Sequence, residues 1–359
     1  MGQSPSSASY NQEGKGLPFY QGNADFGDLY PVTKTWCNQP RKTAEAGDIL
    51  ISVRAPIGAV NIAGEECCIG RGLAAIRQNG SVVSRDYLFH CLQANRSKLE
   101  AMGTGSTFKA IGKRSLSSLA IPIYGLEKQK MIVKQLEGVN ECLAAAVTAL
   151  TMFDTLVKSR FVEMFGDPKL EPNKWSTKTL GEVCATRLGK MLDAKKQTGK
   201  CSYPYLANTN VQWFHFDLTD LRQMDFSDED RIEFGLKNGD VMVTEGGEIG
   251  RCAIWREEIP NCYFQKAVHR VRCDSEVLLP EYFVWCFKMK ADLGLFESYV
   301  SQSTIAHLTG KKIKQVPIPL PPLSLQREFA SFVAEVDKSR FNLLKAYGSI
   351  IALFRVLFP

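Results

Sequence analysis

Polar loops rich in amides and basic side chains are the part of this sequence best suited to chemistry. Amide and guanidinium groups can pair with the edges of nucleic-acid bases, while lysine and hydroxyl groups suit phosphate oxygens. In the first third of the chain the candidate contact residues are Gln3, Ser4, Ser6, Tyr10, Asn11, Gln21, Arg54, Arg71, Lys109, Lys113 and Arg114. In the second half they are Lys190, Lys195, Lys196, Asn208, Asn210, Gln212, Trp213, Lys266, Lys311 and Lys312.

Each of these candidates also has a structural interpretation. A lysine can be a solvated surface charge, and Trp213 can anchor a core. Arg71 can pair with Glu65 or Glu66, and His269 fits a structural role better than a binding role. The residue types alone therefore leave both interpretations open at each position.

The sequence shows none of the motifs that would let this chain catalyse a reaction alone. A phosphate-binding loop requires GxxxxGK followed by Ser or Thr, whereas "GSTFKAIGKRS" has six residues between its glycines and an arginine after the lysine. An adenine methyltransferase needs an Asn/Asp-Pro-Pro-aromatic segment for the flipped base, but the Pro-Pro pair here lies in "LPPL". The histidines form no HExxH motif, and the acidic runs 228–230 and 257–258 suit a solvated surface. We therefore expect no catalytic residue, metal site or cofactor on this chain.

Length, charge and cysteine content bound the class of protein. A chain of 359 residues exceeds the roughly 250 to 300 residues over which a single core grows, so two domains are expected. The net charge of +6 permits a polyanionic partner without requiring one. The 11 cysteines include no CxxC pair, and the sequence shows no leader and no run of about 18 uncharged apolar residues. These features predict a cytoplasmic protein that does not span a membrane.

An internal repeat organises the chain. The stretch "GDILISVRAPIGAV" from Gly47 returns as "GDVMVTEGGEIGRCAIW" from Gly239, a shift of 192 residues, and later matches shift by 195 and 197. Further matched pairs are Gly58 with Gly250, Tyr87 with Tyr282 and Gln129 with Gln326. A period this long indicates duplicated domains and not a solenoid. In each copy, runs rich in Val and Ile predict strands, residues 85–102 and 280–298 predict helices, and "LAIPI" and "VPIPLPP" predict a closing strand.

A heptad pattern of apolar residues follows each copy of the repeat. In the first copy the seam positions are separated alternately by four and three residues, which predicts a long helix. These positions are Ile132, Leu136, Val139, Leu143, Ala146, Leu150, Phe153 and Val157. The second copy repeats the pattern from Phe329 to Leu357, with Arg340 at its one polar seam position. Helices of about 30 to 35 residues would be roughly 45 to 50 Å long, and matched heptads favour an antiparallel pair over two separate core helices.

Together these features resemble the specificity subunit of a type I restriction-modification system. The resemblance covers nearly the whole chain and is carried by "GQSPSSASYNQEGKGLPFYQGNADF", "GDILISVRAPIGAVNIA", "CCIGRGLAAIR", "GTGSTFKAIGKRSLSSLAIPIYGLEKQKMIV", "LVKSRFVEMFGDP" and "PIPLPPLSLQREFA". It implies an α+β fold with two similar β-rich target-recognition domains, joined by two long helices packed as an antiparallel coiled coil. The implied boundaries are residues 1–125 for the first domain, 126–166 for the central spacer helix, 167–322 for the second domain and 323–359 for the C-terminal spacer helix.

The same resemblance implies a function and a set of partners. Each domain would read one half of a split double-stranded DNA target through polar loops in the major groove, and the helices would set the gap between the halves. Two methylation subunits, and restriction subunits where present, would bind this chain. S-adenosylmethionine would be held by the methylation subunits and ATP with Mg by the restriction subunits. The repeat agrees with this implication, because its scaffold recurs while loops such as "PSSASYN" and "MLDAKKQ" differ.

The first copy departs from the family pattern at its beginning. The second copy opens with "KWSTKTLGEVCATRLGK", whose "LGK" aligns with "MGQ" at residues 1–3, so the first copy lacks roughly 13 to 15 residues of the family's opening strand. A truncated start, another gene arrangement or a strand donated by the C-terminal tail could each account for this. Two other functions also stay open: a nuclease or other hydrolase that acts on nucleic acid by itself, and an interaction scaffold that does not bind DNA.

Overall fold

The computed structural model describes residues 1–105, 109–171, 174–193, 197–299 and 307–357, with side chains through residue 349. The chain divides into two compact units, Met1–Ala144 and Ala145–Pro359, called unit 1 and unit 2 below. Each unit combines helices with β-sheets, as expected for two α+β domains. The division falls inside the first long helix, and the finer domain boundaries given by the resemblance stay predictions.

Unit 1 contains two sheets followed by helices. Its strands are β1 (Tyr10–Asn11), β2 (Leu17–Tyr20), β3 (Trp36–Cys37), β4 (Thr43–Ala44), β5 (Ile49–Ser52), β6 (Val60–Ile62), β7 (Cys67–Ile69) and β8 (Leu73–Ile76). The five-stranded sheet has the order β1-β3-β2-β7-β4, and the three-stranded sheet has the order β6-β5-β8. β2 and β7 run parallel to each other. The helices are α1 (Arg85–Ala94), α2 (Arg96–Ala101), α3 (Lys113–Ser117) and α4 (Leu126–Phe165), which continues into unit 2.

Unit 2 repeats this plan with additional strands. Its elements are β9 (Thr177–Thr179), α5 (Leu180–Val183), β10 (Cys184–Leu188), β11 (Ser202–Leu206), β12 (Arg222–Asp225), α6 (Asp228–Glu233), β13 (Val241–Thr244), β14 (Cys252–Ile254), β15 (Tyr263–Phe264), β16 (Val268–Cys273), α7 (Pro280–Asp292), α8 (Gly310–Ile313), β17 (Pro317–Pro319) and α9 (Leu323–Leu357). The sheets have the orders β10-β16-β13-β14, β12-β11-β15 and β17-β9. β11 and β15 run parallel, like β2 and β7 in unit 1.

The repeated glycine and aspartate pair builds the same turn in both units. Gly47 and Gly239 have φ angles of 88° and 89°, in the left-handed region that favours glycine. The next residues, Asp48 and Asp240, are 4% and 1% exposed and each accept two hydrogen bonds from one arginine. The arginines are Arg77 and Arg272. The repeat therefore extends from the sequence to matching ion pairs, each between a buried aspartate and a more exposed arginine.

Two strand pairings of unit 2 have no counterpart in unit 1 as described. In unit 2, β17 pairs with β9, and β10 pairs with β16. In unit 1, residues 119–123 form no strand. β8 is an edge strand whose one neighbour in the described sheet is β5. The prediction of a strand at "LAIPI" is therefore wrong. The physical reason is that a strand requires a hydrogen-bonded neighbour, and no described segment of unit 1 lies where β9 lies in unit 2.

The helices that follow the sheets end earlier than predicted. Residues 85–102 form α1 and α2, with Asn95 between them, and the second helix ends at Asp292. The Asn95 side chain donates to the Cys91 carbonyl at 2.8 Å, which caps the end of α1. The Leu293 N–H bonds the Met289 carbonyl at the end of α7. The side chain of Asn95 therefore ends α1, whereas α7 ends before Gly294, whose φ of 69° is typical of a glycine that terminates a helix.

The two long helices pack against each other within unit 2. α4 has 40 residues and α9 has 35, or about 60 Å and 52 Å at 1.5 Å per residue. Arg160 bonds Glu328 at 2.8 Å, and Arg340 bonds Asp154 at 2.8 Å. The contacts pair rising numbers in one helix with falling numbers in the other, so these segments run antiparallel. The Phe161 ring also lies 5.5 Å from the Phe329 ring, in the core that both helices share with α7.

By length and composition, α4 is apolar enough to cross a membrane. Its most apolar 18-residue window has a mean hydropathy of 1.3, and 11% of that window is buried. A core or pairing helix of a soluble protein can have the same composition. The expectation that the chain spans no membrane therefore stays a prediction, and contacts of Asp154 and Phe161 give this helix a partner in α9.

Candidate nucleic-acid interface

In unit 1, three chain segments meet where the parallel strands β2 and β7 end. Gly2 N–H donates to the Leu73 carbonyl at 2.8 Å, and Gln3 N–H donates to the Ile69 carbonyl at 3.0 Å. A Cβ at Gly2 would lie 2.3 Å from the Gly70 oxygen, so only glycine permits this approach. We call this place the strand-end junction of unit 1 and define it by Gly2, Gln3, Ser4, Gln21, Gly70 and Arg71.

The strand-end junction brings together four of the predicted contact residues. The Ser4 hydroxyl donates to Gln21 Oε1 at 3.0 Å, and Arg71 N–H donates to Ser4 Oγ at 3.2 Å. The side chains of Gln3, Gln21 and Arg71 are exposed. Arg71 makes no ion pair with Glu65 or Glu66 in the described part of the chain. The alternative that Arg71 is a structural partner of these acids therefore has no contact to support it.

A second group of basic residues in unit 1 consists of Arg54, Lys109, Lys113 and Arg114, and the last three lie between α2 and α4. Arg54 forms a β-bridge with Ala110, and the Ala55 N–H bonds the Lys109 carbonyl at 3.2 Å. The side chains of Arg54 and Lys109 are both exposed, as are those of Lys113 and Arg114 on α3. Burial lowers the pKa of the Met1 amino group, and the nearby charges of Lys113 and Lys42 lower it further. The charges of Lys113 and Lys42 therefore act on the amino group of Met1, the residue before Gly2 of the junction.

Three predicted contact residues of unit 1 are engaged in holding their own loop. The Ser6 carbonyl accepts the Ser9 N–H at 3.0 Å. The Tyr10 ring stacks on the Phe19 ring at 4.6 Å, and the Tyr10 hydroxyl donates to the Pro5 carbonyl. Asn11 closes a turn by bonding backbone groups of residues 13 and 15. These contacts position the loop, and a role in DNA contact for these three residues stays a prediction.

Unit 2 contains an equivalent strand-end junction, defined by Gly189, Lys190, Ala207, Asn208, Gln265 and Lys266. Gly189 N–H donates to the Val268 carbonyl at 3.0 Å, and a Cβ at Gly189 would lie 2.3 Å from the Gln265 oxygen. These values reproduce those of Gly2 in unit 1. The alignment of "LGK" with "MGQ" is therefore confirmed by the backbone geometry.

Three predicted contact residues of unit 2 are bonded internally. Lys190 Nζ lies 2.5 Å from Asp230 Oδ2 and 2.6 Å from the Asp225 carbonyl. Asn210 is buried, accepts the Ala207 N–H at 2.8 Å and donates to two backbone carbonyls further along the loop. Gln212 Nε2 donates to the Thr209 carbonyl at 2.8 Å. Contact of these side chains with DNA would require them to leave these partners.

The other predicted contact residues of unit 2 are Lys195, Lys196, Asn208, Trp213, Lys266, Lys311 and Lys312. Asn208 Nδ2 donates to the Gly246 carbonyl at 3.0 Å, and Trp213 Nε1 donates to Glu248 at 2.5 Å. Lys266 is exposed. On α8, the Lys311 side chain is exposed and that of Lys312 is half-buried. Lys195 and Lys196 lie outside the described residues.

The acidic and histidine candidates have structural partners. Asp228 pairs with Arg231, and Asp230 pairs with Lys190. His269 is buried, and its Nε2 bonds the Leu308 carbonyl at 2.9 Å, as a structural histidine would. Burial lowers the pKa of His269, so its ring is neutral near pH 7. No group of three His, Cys, Asp or Glu residues suited to a metal ion occurs within the described ranges.

The contact residues predicted from the sequence do not include Gln265, Lys42 or Lys288. Gln265 follows β15 as Gly70 follows β7. Aligning "FQKA" with "IGRG" in the repeat would have found it. The charge of Lys42 acts on the Met1 amino group although the two residues are 41 positions apart in the sequence. Lys288 Nζ lies 5.0 Å from the centre of the Trp213 ring, across the fold of unit 2. Gln265 thus had a signal in the sequence, whereas the two lysines had none.

Comparison with known proteins identifies the family. A family model described as the type I restriction modification DNA specificity domain matches residues 1–146 and 172–348. A putative type I restriction enzyme MjaX specificity subunit from Methanocaldococcus jannaschii is 49% identical over 143 residues, which are 40% of this chain and 34% of that protein. The type I restriction enzyme EcoKI specificity subunit from Escherichia coli is 22% identical over 358 residues, covering 92% of this chain and 76% of that protein.

The match to the first of these relatives spans about one third of its length. A crystal structure of the type I restriction-modification S subunit from M. genitalium is 16% identical and covers 99% of this chain and 91% of that chain. Its TM-score of 0.55 supports a shared fold. Because the family model matches both copies of the repeat and most of the sequence, this chain belongs to the type I restriction-modification DNA specificity family.

Proposed function

We propose that this chain is the DNA-recognition subunit of a type I restriction-modification complex and that each unit reads one half of a split target. The observation that carries the proposal is the duplicated strand-end junction. The same backbone arrangement holds Gln3, Gln21 and Arg71 in unit 1 and Gln265 and Lys266 in unit 2. One scaffold with two different sets of polar side chains suits the reading of two different half-sites.

We further propose that α4 and α9 form an antiparallel coiled coil that sets the gap between the half-sites. The ion pairs of Arg160 with Glu328 and Arg340 with Asp154 support this arrangement. The heptad seam supports it as well, because Ala146, Val157 and Val336 are all less than 10% exposed. A helix of about 60 Å is long enough to span more than the roughly 34 Å of one DNA turn.

The proposed chemistry belongs to partner subunits. Two methylation subunits would hold S-adenosylmethionine and modify the DNA, and restriction subunits, where present, would use ATP with Mg. This chain would contribute no catalytic residue and would act in the cytoplasm, away from any membrane. The acidic run 228–230 supports this assignment, because Asp228 pairs with Arg231 and Asp230 pairs with Lys190.

Selection from randomised duplex DNA tests the proposed function. The purified full chain is incubated with the duplexes at low salt, and bound DNA is sequenced; two short motifs at a fixed separation are expected. The logarithm of the association constant should fall linearly with that of the salt concentration, with a slope of about −0.9 for each phosphate contacted. Recovery of DNA without a shared motif would reject the proposal in favour of an interaction scaffold. Cleavage of the DNA by the chain alone with Mg would reject it in favour of a nuclease.

A further inference from the structure

The two strand-end junctions carry their glutamine on different strands. In unit 1, Gln21 follows β2 and Gly70 follows β7; in unit 2, Ala207 follows β11 and Gln265 follows β15. The positions are equivalent, because the Gly70 N–H bonds the last carbonyl of β2 at 2.8 Å and the Gln265 N–H bonds the last carbonyl of β11 at 3.1 Å. At these two equivalent positions, each junction therefore has one glutamine and one small residue, in opposite order.

The exchange has a steric reason in unit 1. A Cβ at Gly70 would lie 2.4 Å from Gln21 Oε1 and 3.0 Å from the Gln21 Cα, so a side chain at residue 70 would require the Gln21 amide to move from its place beside Ser4. In unit 2 the alanine at residue 207 ends in a methyl group, and the neighbouring position carries the Gln265 amide. At this pair of positions each junction thus presents one glutamine amide, and the strand that supplies it differs.

A basic residue occupies the same place in both junctions. Arg71 follows Gly70, and Lys266 follows Gln265. Both side chains are exposed, and both backbone N–H groups bond the segment after the glycine, at 3.2 Å to Ser4 Oγ and at 2.9 Å to the Lys190 carbonyl. The positive charge therefore keeps its position while the amide moves from one strand to the next.

The two residue types suit different parts of DNA. A glutamine amide pairs with N6 and N7 of adenine in the major groove, whereas the charged side chains of Arg and Lys, which can also pair with guanine, bind phosphate oxygens that carry no sequence information. Gln21 Oε1 is oriented by the Ser4 hydroxyl, and Gln21 Nε2 has no hydrogen-bond partner among the residues that the structure describes. The side chain of Gln265 is half-buried and likewise makes no hydrogen bond to another described side chain.

We propose that Gln21 and Gln265 determine the base specificity of the first and second half-sites, and that Arg71 and Lys266 are the sequence-independent phosphate contacts beside them. The inference rests on the proposed function and names its reading residues. Neighbouring strands lie about 4.8 Å apart, and base pairs rise about 3.4 Å along each strand of DNA. In unit 1 the glutamine and the basic residue follow neighbouring strands, whereas in unit 2 both follow the same strand. The two glutamines would therefore read base pairs at different distances from the phosphate contact.

The test compares four single variants in the same selection from randomised duplexes. Gln21→Ala should lower discrimination at one base pair of the first motif by about 5- to 150-fold, the range for a bidentate contact, and leave the second motif intact. Gln265→Ala should do the reverse. Arg71→Gln and Lys266→Gln should keep both motifs and reduce the magnitude of the salt slope by about 0.9 each.

Controls separate this inference from folding and from the proposed function. Gln39→Ala and Gln223→Ala remove exposed glutamines from the same two units outside the junctions and should change neither motif. Unchanged thermal unfolding midpoints would show that the junction variants fold. If the parent chain selects two motifs and both glutamine variants keep them unaltered, the inference is overturned while the proposed function stands. If the parent chain selects no motif, the proposed function and the inference are both overturned.

Discussion

Gln129 and Gln326 make the same three hydrogen bonds in their respective units. Gln129 Oε1 accepts the Ser84 N–H at 2.8 Å, and its Nε2 donates to two backbone carbonyls at 2.9 and 2.7 Å. Gln326 Oε1 accepts the Leu279 N–H at 2.9 Å, and its Nε2 donates at 3.1 and 2.9 Å. Both side chains are fully buried. Each glutamine thus ties the start of a long helix to the loop before the short helix.

Replacement of Gln326 with alanine should destabilise unit 2. The change leaves one N–H and two carbonyls without their partner in a buried place, which costs about 2 to 4 kcal/mol. Urea unfolding followed by circular dichroism should show the loss in the free energy of unfolding. Gln135→Ala, at an exposed position of α4, is the control and should change this energy by less than about 0.5 kcal/mol. Equal effects of the two substitutions would contradict the structural role of Gln326.

Acid should weaken unit 1 through Asp48. Hydrogen bonds from Arg77 hold the pKa of Asp48 below its usual range. A carboxylate with a depressed pKa stabilises the fold above its unfolded pKa of about 4, and this contribution is lost as the pH falls through the folded pKa. Asp48→Asn should therefore lower stability at pH 7 and flatten its decline at acid pH. Asp28→Asn, at an exposed position, is the control, and its unfolding free energy should fall between pH 7 and pH 3 as much as that of the parent chain.

The buried histidine predicts a second pH effect, in unit 2. Burial lowers the pKa of His269, so the unfolded chain binds a proton at a higher pH than the folded chain does. Stability is then fully present above the unfolded pKa of about 6.5 and falls as the pH drops below it. His269→Gln keeps a donor for the Leu308 carbonyl and should remove the decline between pH 6.5 and pH 5. Thermal unfolding midpoints of the parent chain and the variant at several pH values measure this decline in stability. A decline of the same size in His269→Gln would show that groups other than His269 cause it.

A single methyl group at Gly189 should disturb the second half-site alone. Its Cβ would lie 2.3 Å from the backbone oxygen of Gln265, so Gly189→Ala must displace the segment that carries Gln265 and Lys266. Selection from randomised duplexes should then show a degraded second motif and an intact first motif. Gly348→Ala is the matched control, because nothing lies within 4 Å of its Cβ. Loss of both motifs in Gly189→Ala would point to general unfolding.

Longer helices should widen the gap in the target. An insertion of seven residues after Val147 and seven after Ala346 keeps the heptad register and adds about 10 Å to each helix. The preferred gap should grow by about three base pairs at 3.4 Å each, with the half-sites unchanged. Insertion into α4 alone shifts Asp154 away from Arg340 and should weaken binding at every gap length. A gap that stays constant in the double insertion would rule out the spacer role of the helices.

The internal duplication made most of the scaffold predictable. The pairs Gly47 with Gly239 and Gly58 with Gly250 were aligned from spacing, and all four have positive φ angles in the structure. The heptads likewise predicted long helices, which begin at Leu126 and Leu323. Such features depend on local conformation and periodicity, which a sequence displays directly.

The candidate site was predicted less well than the scaffold. Lys190 and Asn210 have the right chemistry for DNA contact, but the fold places Asp230 and backbone carbonyls against them. Gln265 is absent from the predicted candidates, although the repeat alignment of "FQKA" with "IGRG" points to its position. Side-chain type therefore identified candidates without showing which of them have free hydrogen-bonding groups.

The amino-acid sequence by itself determined the two copies, their turn glycines and the long helices that follow them. Only the tertiary structure decided which side chains meet at each strand-end junction and which are used up in internal hydrogen bonds. The physical reason is the range of the interactions. Turns and helices depend on neighbours within a few residues, whereas the hydrogen bonds of Gly2 with Leu73 and of Gly70 with Tyr20, both of 2.8 Å, join segments that are far apart in the sequence.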